Sequence, residues 1–153
     1  MIDLDKTDKQ LLRLLQADGR LSNAELAEKV HISQATCHRR VNRLFENGLI
    51  CSVRAQIAPK AVDLGTLVIV GVVLDRSTPQ SFAEFEQAIT QLAMILDCQL
   101  VAGEFDYLLR VRVKDIEDFN DLHAKQLIAL PAVRQIRTFF VMKEVIDSAP
   151  LQF

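Results

Sequence analysis

Apolar residues recur at helical spacing three times in the first third of the chain, and each stripe predicts a short amphipathic helix. The first helix is predicted over residues 6–17, with Asp5 as its N-cap and Asp18 at its stop. The second begins after Ser22, because Ser22 and Glu25 have the S-x-x-E spacing of a capping box. Both helices therefore have start signals in the sequence itself.

The third helix is predicted over residues 34–46, with Ser33 as its N-cap and Gly48 just past its end. A connection of only three residues, 31–33, separates it from the second helix. Two helices with so tight a link are typical of a helix-turn-helix, in which the second helix enters the major groove of DNA. The apolar stripe of the third helix, spaced at i, i+4 and i+7, consists of Cys37, Val41 and Leu44.

The opposite side of the third helix is polar and positively charged, which suits an anionic partner. Its side chains are of the kinds that read base edges or hold phosphates. Such a side is also found on the solvated surface of a three-helix bundle, but its combination with the tight turn and the capped helix favours DNA. The candidate DNA-binding residues are Ser33, Gln34, Ala35, Thr36, His38, Arg39, Arg40, Asn42 and Arg43.

A β-type run over residues 49–57 predicts a strand that leads into a linker, with a domain boundary within residues 58–65. Charge changes across this boundary. Residues 1–60 hold ten Lys and Arg against seven Asp and Glu, whereas residues 61–153 hold eight against thirteen. A first domain of net charge +3 and a second of −5 indicate two different roles, although the whole chain carries only −2.

The second domain alternates between strand and helix periods in the order βαββαβ, the ferredoxin-like arrangement. The first of its helices has a predicted capping box at Ser81 and Glu84, and the second is opened by Asp115. Right-handed crossovers would place both helices on one face of an antiparallel sheet. Strands are predicted over residues 66–75, 95–102, 107–113 and 133–146, and helices over residues 81–93 and 116–130.

The other face of that sheet needs a cover, because a contiguous apolar patch is not left to water. The residues exposed there are either Leu109, Val111 and Val113 or alternate members of the run 67–74. Self-association through this face is the simplest solution. It gives a two-fold homodimer whose paired helices meet two half-sites on double-stranded DNA, about 34 Å or a multiple of this distance apart.

Composition narrows the class of protein. With 153 residues, half of them apolar, the chain can build a core without disulfides or metals. No apolar run approaches the roughly 20 residues of a membrane span, and the N-terminus is too polar for a signal peptide, so we expect no membrane partner and a cytoplasmic protein. No zinc site or disulfide framework is expected from the spacing of Cys37, Cys51, Cys98, His31, His38 and His123.

Several separate motifs, in the same order, resemble the Lrp/AsnC, or feast/famine, family of bacterial and archaeal transcription regulators. The resemblance covers nearly the whole chain and is strongest to the leucine-responsive branch. The motifs are LDKTDKQLLRLLQADGRLSNAELAEKV, SQATCHRRVNRLFENGLI, APKAVDLG, LVAGEFDYLLRV, LPAVRQIRT and FFVMKEV.

The resemblance implies an α+β chain. Residues 1–60 would form a helix-turn-helix DNA-binding domain with a linker strand, and residues 61–153 a ferredoxin-like effector and oligomerisation domain. It also implies homodimers that often assemble into octamers, no cofactor, and an amino-acid effector such as leucine or methionine held between dimers.

Carried over by motif, Gly103 would let the effector approach the backbone, Asp106 would attract its ammonium group, and Thr138 would bond a polar group. The implied effector-binding residues are Leu100, Val101, Gly103, Glu104, Phe105, Asp106, Tyr107, Arg134, Ile136, Thr138 and Phe140. Read without the resemblance, Gly103 and Asp106 are residues of an ordinary turn, and Thr138 is an ordinary strand residue.

Two other classes of function compete with an effector-responsive regulator. The first is an architectural DNA-binding oligomer that responds to no effector. The second is an enzyme built on the ferredoxin-like scaffold, which hosts many activities. The enzyme is disfavoured, since His123 has no nucleophile or metal ligand near it in sequence, and Glu104 and Asp106 would act as a pair only if a turn aimed both into one cleft.

Overall fold

A computed structural model of the chain describes residues 3–153, which form two compact units. One unit comprises the chain up to Gln56 together with Ile146–Phe153, and the other comprises Ile57–Val145. The sequence placed the last eight residues in the second domain. Their packing with the first unit differs from that expectation.

The first unit is built on three helices: α1 (Lys6–Ala17), α2 (Asn23–Lys29) and α3 (Gln34–Glu46). Their predicted start signals are confirmed. The Asp5 carboxylate accepts a hydrogen bond from the backbone N–H of Asp8, and both hydrogen bonds of the capping box at Ser22 are present. Gly48 follows α3 with a φ of +69°, the left-handed conformation of a C′ glycine.

The apolar stripes of the three helices meet in one small core, as their periodicity predicted. Cys37, Val41 and Leu44 of α3 lie in it, and Leu11 is its fully buried contribution from α1. Burial also raises the pKa of the Cys37 thiol, so this cysteine behaves as a small core residue. The buried members of this core are Leu11, Leu26, Ala27, Val30, Cys37, Val41 and Leu44.

The prediction of a strand over residues 49–57 is wrong. Residues 51–58 have no regular structure, and the linker continues into a short 3-10 turn, Pro59–Val62. The apolar residues of this segment are used differently. Val53 lies against Gly19 at the end of α1, where a Cβ atom would approach the Val53 side chain to 2.6 Å. A period-two pattern forms a strand only when a partner strand is beside it, and no strand within residues 3–153 pairs with this segment.

The C-terminal segment Ile146–Phe153 belongs to the first unit through contacts with α1. The Gln16 side chain donates to the main-chain oxygen of Leu151 at 2.9 Å and accepts from its N–H at 3.0 Å. One turn earlier, the Arg13 guanidinium lies 5.4 Å from the centroid of the Phe153 ring. The final strand, predicted over residues 133–146, ends at Phe140, and the chain from Ile146 onward belongs to the first unit.

The second unit has the predicted βαββαβ order around one four-stranded antiparallel sheet, with strand order β2-β3-β1-β4. Each crossover helix joins two strands that flank a third, as in the ferredoxin-like arrangement. The elements are β1 (Thr66–Leu74), α4 (Pro79–Ile89), β2 (Ile95–Leu100), β3 (Tyr107–Val113), α5 (Ile116–Leu122), a π-helical turn (His123–Leu127) and β4 (Val133–Phe140).

One face of the sheet carries the helices and holds the larger core. Leu109, Val111 and Val113 are buried on this face, which corrects the first of the two alternatives for the uncovered face. The second alternative is the one observed. The uncovered face carries Leu67, Ile69 and Val73 from β1, with Leu108, Arg110 and Arg112 from β3 and Gln135, Arg137 and Phe139 from β4.

The first crossover helix begins earlier than predicted. Thr78 is the N-cap of α4 and accepts from the Ser81 N–H at 3.2 Å, while Pro79 occupies the first turn. Ser81 is buried inside the helix, so the capping box predicted there is wrong. The second crossover helix does begin after Asp115 as predicted, but its α-helical part ends at Leu122.

Candidate functional site

The exposed side of α3 forms one continuous polar stripe. Its members follow the spacing i, i+1, i+4, i+5 and i+8, which keeps them on a single side of a helix. All five are exposed, and none of them contributes to the core of the first unit. They are Gln34, Ala35, His38, Arg39 and Asn42.

Ser33 and Thr36 are occupied at the start of the same helix. The Ser33 hydroxyl accepts from the Thr36 N–H at 3.2 Å and donates to the Thr36 hydroxyl at 2.9 Å. These bonds fix the end of α3 that a helix-turn-helix presents to DNA. Both residues thus have a structural task next to the exposed stripe.

Arg40 and Arg43 lie at the margin of the stripe and are tied to α1. Arg40 donates to Asp5 at 2.7 Å and to Asp8 at 2.8 Å, and Arg43 pairs with Asp8 at 2.5 Å. These two acids raise the pKa of the Arg40 guanidinium. The backbone N–H of Asp8, followed by Arg40, lowers the pKa of Asp5. Of the three arginines in α3, only Arg39 has no ion pair among residues 3–153.

His38 is held between two asparagines. Asn23 of α2 lies 3.1 Å from its Nδ1 atom, and Asn42 lies 3.1 Å from its Nε2 atom. In both contacts the asparagine atom nearest the ring is the side-chain amide nitrogen, which is a donor and bonds whichever ring nitrogen carries no proton. This arrangement fixes the orientation of a ring on the exposed stripe.

The partners of this surface, Asp5, Asp8 and Asn23, are not evident from the sequence, because they lie 15 to 35 residues away from the side chains that they contact. The sequence does contain one indication that Asp8 has such a partner. Asp8 stands at i−3 from Leu11 on the apolar stripe of α1, where an acidic residue requires a buried partner. The sequence alone does not say which cation supplies it.

The implied effector residues are distributed over both faces of the second unit. Leu100 and Ile136 lie on the helix-bearing face, in one row of residues that are paired across the four strands. The row runs through the pairs Leu100–Tyr107, Tyr107–Val72 and Val72–Ile136. Leu100 and Ile136 occupy opposite edge strands, about 14 Å apart at ordinary strand spacing. Thr138 and Phe140 follow Ile136 on the same face of β4, and Phe140 contacts Phe119 of α5. Arg134 is exposed near the start of β4.

The β2–β3 connection is anchored to β1. Asp106 donates its N–H to the oxygen of Val72 at 2.9 Å, and its carboxylate accepts from the Leu74 N–H at 2.7 Å. Its oxygen also accepts from the N–H of Val101. Gly103 is exposed at the tip with a φ of +155°. Asp106 therefore holds the connection in place, whatever else it binds.

Two residues of the connection lie over the uncovered face. The Phe105 ring covers Gly71 so closely that a Cβ atom there would be 2.6 Å from two ring carbons. Its ring also makes an edge contact with Phe139, and Glu104 forms an ion pair with Arg137. These two β4 residues were not among the predicted effector residues. The predicted effector residues Ile136, Thr138 and Phe140 lie on the other face of that strand.

Tyr107 is buried against the helices. Its hydroxyl donates to Glu86 of α4 at 2.7 Å, and burial together with Glu86 raises its pKa. The ring centroids of Phe82 and Phe85 lie 6.1 and 4.5 Å from that of Tyr107. Tyr107 therefore links β3 to α4 in the core.

Other kinds of site find little support in the described part of the chain. Among residues 3–153, no three His, Cys, Asp or Glu side chains are grouped to hold a metal ion. No helix there is both long enough and apolar enough to span a membrane. Two concave sites among these residues, of about 830 and 450 Å³, are lined by none of the predicted effector residues.

Known proteins resemble the chain along nearly its whole length. Residues 4–44 match the AsnC-type helix-turn-helix domain, and residues 67–151 match the Lrp/AsnC ligand binding domain. The leucine-responsive regulatory protein of Escherichia coli K12 is 42% identical over 95% of this chain and 89% of its own length.

Two solved structures have the same fold as this chain. A transcriptional regulator of Neisseria meningitidis in complex with L-methionine superposes with a TM-score of 0.92 at 31% identity, covering 98% of this chain and 97% of its own. A feast or famine regulatory protein of Mycobacterium tuberculosis, complexed with L-methionine, superposes with a TM-score of 0.87 at 28% identity. The match covers 95% of this chain and 97% of that protein's chain. The chain belongs to the Lrp/AsnC family of transcriptional regulators.

Proposed function

We propose that α3 reads double-stranded DNA, with residues 1–60 as the DNA-binding domain and residues 61–153 as the effector and oligomerisation domain. The observation that carries the DNA-binding role is the exposed stripe Gln34, Ala35, His38, Arg39 and Asn42 on a capped helix of an AsnC-type helix-turn-helix. Ser33, Thr36, Arg40 and Arg43 support this stripe from its margins. Arg39 supplies its freely available positive charge.

Arg39→Ala tests this role. Loss of one phosphate or base contact is expected to weaken binding by about 1–3 kcal/mol and to reduce the slope of log affinity against log salt by about 0.9. Fluorescence anisotropy with a duplex selected from a randomised pool measures both quantities. Arg20→Ala, on the loop after α1, is the matched control. Equal behaviour of the two variants would contradict the assignment.

We also propose an amino-acid effector, leucine or methionine, bound at a site that two copies of the chain complete. Two relatives of known structure were solved with L-methionine, and the Escherichia coli relative is a leucine-responsive regulatory protein. Within one chain the implied residues lie on two faces of the sheet and at opposite edges, so a single copy does not enclose a ligand with all of them. A second copy of the chain supplies the residues that complete the effector site.

Asp106→Asn tests the effector site, because the asparagine oxygen still accepts from the Leu74 N–H while the charge that attracts an ammonium group is gone. Isothermal titration with leucine and with methionine is expected to show binding to the parent chain and at least tenfold weaker binding to the variant. Asp97→Asn, on β2, is the control. Absence of binding to the parent at millimolar concentration would contradict the effector role.

Assembly follows from the same sheet. We propose that the uncovered face pairs two copies into a dimer, and that dimers assemble into an octamer whose packing the effector changes. The protein then acts in the cytoplasm by binding DNA, and not by catalysis. An architectural oligomer without an effector is the alternative, and DNA footprints that do not change with leucine or methionine would favour it.

A further inference from the structure

We propose that Asp8, assisted by Asp5, is a positioning residue that sets the DNA specificity of α3 by holding Arg40 and Arg43 away from indiscriminate phosphate contacts. This inference rests on the DNA-binding role proposed for α3. It adds a function for two acidic residues outside the helix that contacts DNA, Asp8 of α1 and Asp5, the N-cap of α1. Their task is to lower non-specific affinity.

Asp8 is the only acidic residue that is buried among residues 3–153, and its side chain is 1% exposed. A buried carboxylate is tolerated only when it is paired and hydrogen-bonded. Arg40 and Arg43 meet that requirement from α3, at 2.8 and 2.5 Å from its two oxygens. The two arginines are therefore needed by Asp8 in the free protein, before any DNA is present.

Asp5 strengthens the hold on one of these arginines. The Arg40 atom Nη1 bonds both Asp5 and Asp8, and the Arg40 side chain is only 25% exposed. The side chain of Arg43 is 47% exposed and keeps part of its guanidinium in solvent. Arg40 is thus largely withdrawn from the surface, Arg43 is partly withdrawn, and Arg39 is left exposed.

The charges in this cluster cancel, with two arginines against two aspartates. Non-specific DNA binding depends on the number of phosphates that cations neutralise, and each contact contributes about 0.9 to the salt slope. Between about 50 and 200 mM salt one such contact corresponds to roughly a threefold change in affinity. Holding two arginines therefore keeps non-specific affinity low, while the exposed stripe still contacts bases. The ratio of specific to non-specific affinity rises as a result.

Asp5→Asn in the full-length protein tests the inference. Asparagine is as good an N-cap as aspartate, so α1 keeps its start while Arg40 loses one of its two anchors. Anisotropy titrations over a range of salt concentrations compare a random-sequence duplex with a duplex selected from a randomised pool. We expect about threefold tighter binding to the random duplex, a salt slope steeper by up to about 1, and a smaller change on the selected duplex. Asp8→Asn is expected to act in the same direction more strongly if it folds.

Glu46→Gln is the matched control, because it removes the same charge from α3 itself without breaking an ion pair among the described residues. Equal gains in Asp5→Asn and Glu46→Gln would mean that only net charge matters and would overturn the inference. A parallel loss of affinity for both duplexes, with a lower melting temperature, would overturn it in favour of a purely structural role. If Arg39→Ala weakens binding while Asp5→Asn changes nothing, only the role of the two aspartates fails. If Arg39→Ala also changes nothing, the DNA-binding role of α3 fails first.

Discussion

Gly71 is the residue whose missing side chain matters most to the uncovered face of the sheet. The Phe105 ring occupies the space that a Cβ atom would need, and the same ring contacts Phe139 and Arg137 of β4. One glycine in the middle of β1 therefore lets the β2–β3 connection lie across the sheet. Sequence reasoning assigned the connection to a turn and gave Gly71 no role.

Gly71→Ala is expected to destabilise the protein by about 1–3 kcal/mol, because the aromatic ring must move away from the added methyl group. Chemical denaturation of the parent and the variant measures this change. In a Phe105→Ala background the same substitution is expected to cost little, since the space is then empty. An equal cost in both backgrounds would show that the ring is not the cause.

At the level of helices, the start signals of α1 and α2 depend on ionised carboxylates. The pKa of Asp5 is lowered chiefly by the hydrogen bond from the backbone N–H of Asp8. The pKa of Glu25 is lowered chiefly by the hydrogen bond from the backbone N–H of Ser22. Because each pKa is lower in the folded state, the stabilisation is present above the ordinary values of 3.8 and 4.5. It is lost as pH falls through the folded-state values.

The combined substitution Asp5→Asn and Glu25→Gln is therefore expected to flatten the dependence of stability on pH. Denaturant midpoints of the parent should fall between about pH 5 and pH 3 more steeply than those of the variant. Asn and Gln keep the hydrogen-bonding oxygens, so the comparison at pH 7 checks that the helices remain capped. Identical slopes in acid would contradict the assigned role of the two carboxylates.

The segment after β4 is an element without regular structure that α1 nevertheless holds. Gln16→Ala removes both hydrogen bonds to Leu151 and is expected to speed hydrogen exchange at the Leu151 amide, which donates one of them. Gln10→Ala, on the same helix, is the control, because the Gln10 side chain bonds the main-chain oxygen of Lys29 and not the C-terminal segment. Unchanged exchange at Leu151 would show that the segment is held elsewhere.

At the scale of the whole molecule, the uncovered sheet face is the surface on which the proposed dimer depends. Ile69 lies near its middle, opposite Arg110 on one side and Phe139 on the other. Ile69→Lys is expected to shift the molar mass by light scattering towards that of one chain, because a lysine would be desolvated in the paired state. Val62→Lys, exposed on the 3-10 turn, is the control. An unchanged mass would place the dimer contact on another surface.

Local signals in the sequence determined the helices of the first unit, the strand Tyr107–Val113 and the βαββαβ order. Hydrophobic period and capping act between residues fewer than five positions apart, so they are visible without a fold. The same reasoning extended β4 by six residues and created a strand over 49–57. In both places the pattern was suitable, but a strand needs a neighbouring strand along its length. Among residues 3–153 none pairs with residues 51–57, and β1, the neighbour of β4, begins only at Thr66.

The face of β3 was decided by tertiary structure, although the sequence did contain a clue. Tyr107, Leu109, Val111 and Val113 alternate with Leu108, Arg110 and Arg112, and the set without charges packs under the helices. Arg112 is buried all the same, because Glu144 pairs with it at 2.7 Å from beyond the end of β4. Such a pairing over 32 positions leaves no trace in periodicity.

The polar stripe of α3 and its end signals came from the sequence alone, since a helix of known phase fixes which side chains share a side. Only the tertiary structure decided which of those side chains are available. Asp5 and Asp8 reach Arg40 from 35 and 32 positions away, and they leave Arg39 as the exposed cation without an ion pair among residues 3–153. The physical reason is that ion pairing depends on distance in space, whereas sequence patterns report only distance along the chain.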